Sequence, residues 1–253
     1  MRIAIILFLN LCVYSICNAQ KETSHWFFNG QDYIKFNPGG GVTNESPPNV
    51  MFSSNSGASI ADTAGNLLFF ATAYMVYDRN KNPMPSYSNP QLIGIDEMKV
   101  APVPGQPNKY YLFYNYQLTY PGVRSIRYSL IDMSLNGGLG DVVAQHVPID
   151  SNMSPAYTLV TKPSSQDYWI VAHRNATDSF FCRLVTSSGI SSSPVVSTAG
   201  MNATKTEYRF TDLRPSHDGK LLAGFCYTNY TVIFAYAVRF IEVFDFNGTS
   251  GTI

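Results

Sequence analysis

Charge is scarce in this chain. Asp, Glu, Lys and Arg make up only 13% of its 253 residues, against roughly 25% in an average soluble domain. The two signs balance, with 17 basic and 17 acidic residues. That excludes an electrostatic case for nucleic acid or for an anionic membrane surface. Cysteine is also rare, at four residues, and no pair has CxxC spacing. The four histidines, His25, His146, His173 and His217, are far apart, with no HExxH motif and no Asp-x-Asp-x-Asp-Gly loop. Metal binding therefore has no sequence support, and no metal or other cofactor is expected. A Gly-x-Ser-x-Gly elbow is missing. So is any useful stretch of 3.6-residue apolar periodicity. What the chain does have is 17 Tyr, 16 Phe, 18 Gly and 15 Pro. Aromatic richness with abundant turn formers points to an all-β fold and excludes disorder.

The N-terminus has the layout of an export signal. Arg2 precedes a nearly unbroken apolar run, Ile3 to Ile16, and Cys17-Asn18-Ala19 then supplies small residues at the cleavage positions. The expected cut lies between Ala19 and Gln20, so residues 1–19 are a signal peptide and the mature chain is secreted or at the cell surface. The run is shorter than the ~20 residues a membrane span needs, and no span is expected in the mature chain. The rival readings are a buried first element and a lipoprotein modified at Cys17, for which Ile16 is a large residue. Of the two remaining cysteines, Cys182 and Cys226 both lie in apolar strand-like runs. They read as buried free thiols packing as small hydrophobes, with a disulfide as the alternative.

From residue 58 onward a pattern repeats. A short apolar run, a tight polar turn, a second apolar run and a third strand recur. The turns are Asp62-Thr63-Ala64-Gly65-Asn66, Pro107-Asn108-Lys109, Ser165-Gln166-Asp167 and Ser216-His217-Asp218-Gly219-Lys220. A repeating unit of roughly 40 to 50 residues with four short strands is the pattern of a β-propeller blade. Four such units are expected within 20–253, each with a fourth edge strand. An immunoglobulin-like array would need a repeat near 100 residues.

Several of these pieces, in order, resemble a family of large secreted proteins of the Bacteroidetes. The phrase running from Tyr128-Ser129-Leu130-Ile131-Asp132 through Asn136-Gly137-Gly138-Leu139-Gly140-Asp141-Val142 carries the resemblance most strongly. Trp26-Phe27-Phe28-Asn29-Gly30, Val76-Tyr77-Asp78-Arg79-Asn80, Pro102 to Tyr111 and Val243-Phe244-Asp245-Phe246 add to it. Members of that family carry an N-terminal WD40-like or YVTN-like β-propeller and often a C-terminal gliding-motility or type IX secretion sorting domain. The resemblance implies a surface module of an adhesin-like or gliding-associated protein. No sorting domain follows here, and the chain stops at Gly251-Thr252-Ile253, so a truncated ring is expected. Thr231 to Phe246 departs from the family in lacking Gly, Pro or Asn to turn the chain, and is expected to be one long or bent strand, or a local irregularity.

Chemistry-bearing residues are thinly spread. Asn136 to Gly140 leads into a strand rather than a helix, so it reads as a hairpin loop and not a phosphate cradle. His173 reads as a strand-end histidine, or one facing a central funnel. Asp32, Asp96, Glu97, Asp132, Asp167, Glu207 and Asp212 are the candidates for a paired-carboxylate glycosidase, although most fall at turns where Asp caps backbone amides. Asp62-Thr63-Ala64 resembles the Bacteroidetes O-glycosylation pattern, which marks Thr63 as a possible modified residue beside the plain turn reading. Two function classes result. One is a non-catalytic module that binds a protein or a glycan, with loops at Gly39 to Pro48 and Asn80 to Pro90 in the contact face. The other is a propeller-type glycoside hydrolase or sialidase-like enzyme.

Overall fold

The computed structural model describes residues 21–27, 33–37, 40–45, 57–87, 97–117, 123–201, 207–230 and 236–253. The expected cleavage residues Ala19 and Gln20, with the whole signal segment, lie outside these. Among the described residues the chain is all-β, with only two single-turn 3-10 segments at Lys21–Thr23 and Asn136–Gly138. No helix there is long and apolar enough to cross a membrane.

Five small antiparallel sheets follow one another along the chain. The first contains β1 (His25–Phe27), β2 (Tyr33–Phe36) and β3 (Val42–Glu45); the second contains β4 (Gly57–Ala61), β5 (Leu67–Thr72) and β6 (Val76–Asp78). The third contains β7 (Met98–Pro102), β8 (Lys109–Gln117), β9 (Arg124–Asp132) and β10 (Asp141–Ser151). The fourth contains β11 (Met153–Thr161), β12 (Tyr168–Arg174), β13 (Ser179–Thr186), β14 (Gly189–Ile190) and β15 (Val195–Thr198), the last two both pairing with β13. The fifth contains β16 (Glu207–Pro215), β17 (Leu221–Tyr230) and β18 (Tyr236–Asp245). Within each sheet the chain meanders between neighbours, and among the described residues no sheet closes on itself.

Two expectations change. Five sheets are present where four were read, and three of them show three strands among the described residues rather than four. The first sheet escaped because its strands are short and its third, Val42-Thr43-Asn44-Glu45, is mostly polar. Within Thr231 to Phe246, Tyr236–Asp245 is a single ten-residue strand, in line with the long strand expected there. Tyr236–Asp245 pairs back along Leu221–Tyr230 from Tyr230↔Tyr236 to Leu221↔Asp245, and residues 231–235 lie outside the described set.

Turn chemistry sets where the strands begin. Asp62 Oδ1 accepts from the amides of Ala64 and Asn66, at 2.9 and 2.8 Å, while Gly65 takes φ 89°. Asp78 repeats the arrangement with the amides of Asn80 and Asn82, and Lys81 occupies the left-handed position at φ 70°. Such Asx turns replace backbone partners that the ladder cannot supply. Burial works against a charged Asp62, but the hydrogen bonds from Asn66, Ala64 and Gly65 outweigh it and hold its carboxyl below the ordinary range.

The core lies between sheets rather than around one. An aromatic pair marks each junction along the series. Phe27 stacks on Phe70 at 4.1 Å, Phe69 meets Tyr110 at 5.7 Å, Phe113 meets Tyr168 at 6.4 Å and Phe180 meets Phe210 at 5.4 Å between ring centres. First strands face one another at three of the four junctions, β4 against both β1 and β7 and β11 against β16, while between the third and fourth sheets β11 lies against β9. A thin sheet with two apolar faces cannot stand alone, so stacking supplies the burial that each sheet lacks.

Cys182 and Cys226 are free and buried in the cluster between the fourth and fifth sheets. Burial pushes the Cys182 thiol up to about 12, which keeps it protonated and unreactive. For a chain starting at Gln20, two thiols should titrate under non-reducing denaturing conditions and none in the native state. A count of zero after denaturation would mean that the two are bridged.

Candidate functional site

The turns joining first to second strands lie at one end of their sheets, and so do those joining third to fourth strands, as an antiparallel meander requires. Neighbouring sheets are tied together at that end. The Gly105 amide donates to Gln166 Oε1 at 3.2 Å, and Gln106 Nε2 donates to the Ser187 carbonyl at 2.7 Å. These contacts leave a cleft of ≈470 Å³ between the Pro102–Tyr110 turn of the third sheet and Gln166 of the fourth. A second cleft, of ≈570 Å³, lies between 159–165 of the fourth sheet and 215–219 of the fifth. Proline rings, the hydroxyls of Ser164, Ser165 and Ser216, and His217 line it. The left-handed residues Asn108 and Ser164, at φ 68° and 58°, let these turns reverse tightly.

Inner strands carry a separate charged group. Glu97, one residue before β7, receives Lys99 Nζ at 2.5 Å and lies 3.9 Å from Arg214 Nη2 of β16. The Arg214 Nε donates to Asp212 at 2.8 Å. A bulge in β11 between Met153 and Tyr157 aims the backbone sideways. There the Pro155 carbonyl accepts from Asn115 Nδ2, and the Tyr157 amide donates to Glu97 Oε2 at 3.4 Å. Each carboxylate thus has a cation beside it. Glu97 and Asp212 are both held in ion pairs that share Arg214.

The remaining sequence candidates separate. Asp32 and Asp96 lie outside the described residues. Asp132 sits at the β9 turn, where the Ser134 hydroxyl and amide hold its carboxyl below the ordinary range. Asp167 lies in the turn between β11 and β12, where its amide donates to Ser165 Oγ at 3.0 Å. His173 is fully buried between Phe180 and Phe210, with Nδ1 3.2 Å from Ser154 Oγ, and does not face a funnel. Asn136 to Gly140 is the hairpin loop between β9 and β10, as expected. Thr63 is exposed at the tip of the Asp62 turn.

Of the two expected contact loops, 42–45 is strand β3, and the described part of the second, 80–87, is tied with Arg79 to the third sheet. Arg79 Nη2 donates to the Gly138 carbonyl, and the Ser86 amide and hydroxyl donate to Asp141 at 3.0 and 2.7 Å. The clefts were missed because Pro102 to Tyr110 and Ser216 to Lys220 read only as turns. Their adjacency belongs to the stacking of sheets and is not carried by either segment alone. Comparison with protein-family models and with curated proteins gives no match for this chain.

Proposed function

We propose that this chain is an exported, non-catalytic β-propeller module that binds a glycan or a protein segment through the turn end of its sheets. The sequential stack of five meanders, with first strands facing one another at three of the four junctions, supports the propeller reading. In keeping with the sequence resemblance, the module belongs to an adhesin-like or gliding-associated surface protein of the Bacteroidetes. The binding surface is the pair of inter-sheet clefts, and their chemistry carries the reading. They are lined by serine hydroxyls, proline rings, Tyr110 and His217, with one acidic residue, Asp218, and the two lysines Lys109 and Lys162. A nearly neutral wall of this kind suits sugar hydroxyls or an uncharged peptide, not phosphate.

The test pairs a glycan array with a panel of chromogenic glycosides, both on the exported chain. Binding without turnover is expected, and Tyr110→Ala and His217→Ala should each weaken it about tenfold or more. Turnover lost in Glu97→Gln or Asp212→Asn would favour the glycosidase instead.

A further inference from the structure

The two clefts share a wall. Ser164 and Ser165 line the one toward the fifth sheet, and Gln166, the next residue, lines the one toward the third. Consecutive Cα atoms stand about 3.8 Å apart, so a single turn, 162–167 between β11 and β12, is all that separates the clefts. It forms an open ridge, with Ser164, Ser165 and Gln166 all exposed. Both clefts also have the same construction. Each is closed by the turn after a first strand, 103–108 after β7 and 216–220 after β16, set against that ridge. The spacing of this repeat is that of stacked sheets, roughly 10 Å.

We infer that one linear, uncharged glycan lies in both clefts at once and crosses the 164–166 ridge between them. This rests on the binding reading above and names its ligand. Main-chain groups decide between a sugar chain and a peptide. An extended peptide is commonly held by adding to an unpaired strand edge. These clefts lie at turns instead, where the amides of Gln106, Lys109, Lys162 and Ser216 already donate to carbonyls of their own turns. Side chains are what remain. Gln166 gives Oε1 to the Gly105 amide and keeps its Nε2 donors, while Gln106 gives Nε2 to the Ser187 carbonyl and keeps Oε1 as an acceptor. Donors and acceptors set side by side match sugar hydroxyls, which do both. The charged lining residues are Lys109, Lys162 and Asp218. Two cations and one anion are too little to select an anionic polymer. A receptor built as a repeat also suits a ligand that repeats, because occupancy of one cleft holds the chain at the next.

Titration calorimetry on the exported chain tests it, with the disaccharide and the hexasaccharide of four linear series: β-1,4-linked glucose, mannose, xylose and N-acetylglucosamine. One hexasaccharide should bind once per protein, on the order of a hundredfold tighter than its own disaccharide. Pro107→Trp fills the first cleft without touching the Gln166 bond, and His217→Ala strips the second. Each should return the hexasaccharide to about the affinity of the disaccharide. The disaccharide itself should respond to only one of the two. Both positions are exposed in turns, so the thermal midpoint should not move. Two hexasaccharides per protein, or one that ignores either substitution, would show separate sites; the inference would fall while the binding reading stood. Capture of extended peptides with no response to any of the sugars would have the same meaning. Silence toward sugars and peptides alike would overturn both.

Discussion

Gly224→Ala will destabilise the protein by about 1–3 kcal/mol, the usual cost of forcing extra volume into a packed site. The direction is opposite to the general rule. Glycine inside a strand is ordinarily inferior to alanine by roughly 0.5–1 kcal/mol, and Gly224 has no left-handed backbone to protect. Its neighbour decides the outcome. A Cβ placed at Gly224 would lie 2.0 and 2.3 Å from two ring carbons of Phe210. Phe210 has no freedom to retreat, since it is fully buried and rings of His173, Phe180 and Phe244 surround it. Phe210→Ala should in turn cost about 3–5 kcal/mol as a cavity opens between the fourth and fifth sheets. With the ring gone, alanine at 224 loses its clash. The double variant should therefore be more stable than the sum of the single effects implies, by on the order of 1–3 kcal/mol. Urea midpoints of the four proteins measure this. Strict additivity would show that the ring and Gly224 do not press on each other.

Strands were legible where the sequence repeats a local event. Asp62 to Asn66 and Ser216 to Lys220 announce their own turns, because an Asp or Ser side chain closes each on amides within a few residues. The apolar runs after them, Leu67 to Thr72 and Leu221 to Phe225, then had to be strands. The first sheet was illegible for the converse reason: its third strand is exposed and polar, so no alternation points inward. Residues 236–245 were legible as a strand, but their pairing back along residues 221–230 was not, because no Gly, Pro or Asn stands between Tyr230 and Tyr236 in the sequence. The candidate site was least legible of all. Glu97 and Arg214 stand 117 positions apart, and only the approach of β7, β11 and β16 brings their charges together. Gln166 meets Gly105 in the same way. Such pairings depend on sheet stacking, which no local pattern encodes.

Acid should loosen the molecule well before its carboxylates are neutralised. Burial drives the His173 pKa from 6.5 down to about 3. Its ring lies 4.8 Å from that of Phe180 and 4.6 Å from that of Phe210, so an imidazolium there would exchange water for two aromatic faces and one serine hydroxyl. The unfolded chain takes up that proton near pH 6.5, and the native chain resists it until about pH 3. Stability is therefore full above the unfolded value and falls as pH drops between the two, because the unfolded state binds more protons throughout. The loss approaches about 1.4 kcal/mol per pH unit, or on the order of 2–3 kcal/mol by about pH 4.5. Carboxyls held low by hydrogen bonds, such as Asp62 and Asp132, add their share only at more acid pH, since their ordinary value is already 3.8. Urea midpoints from about pH 7.5 to about pH 4.5 should fall steeply for the wild type. His173→Gln will be less stable at neutral pH but should show a shallower slope, which separates His173 from the other three histidines. An unchanged slope in that variant would place the acid sensitivity elsewhere.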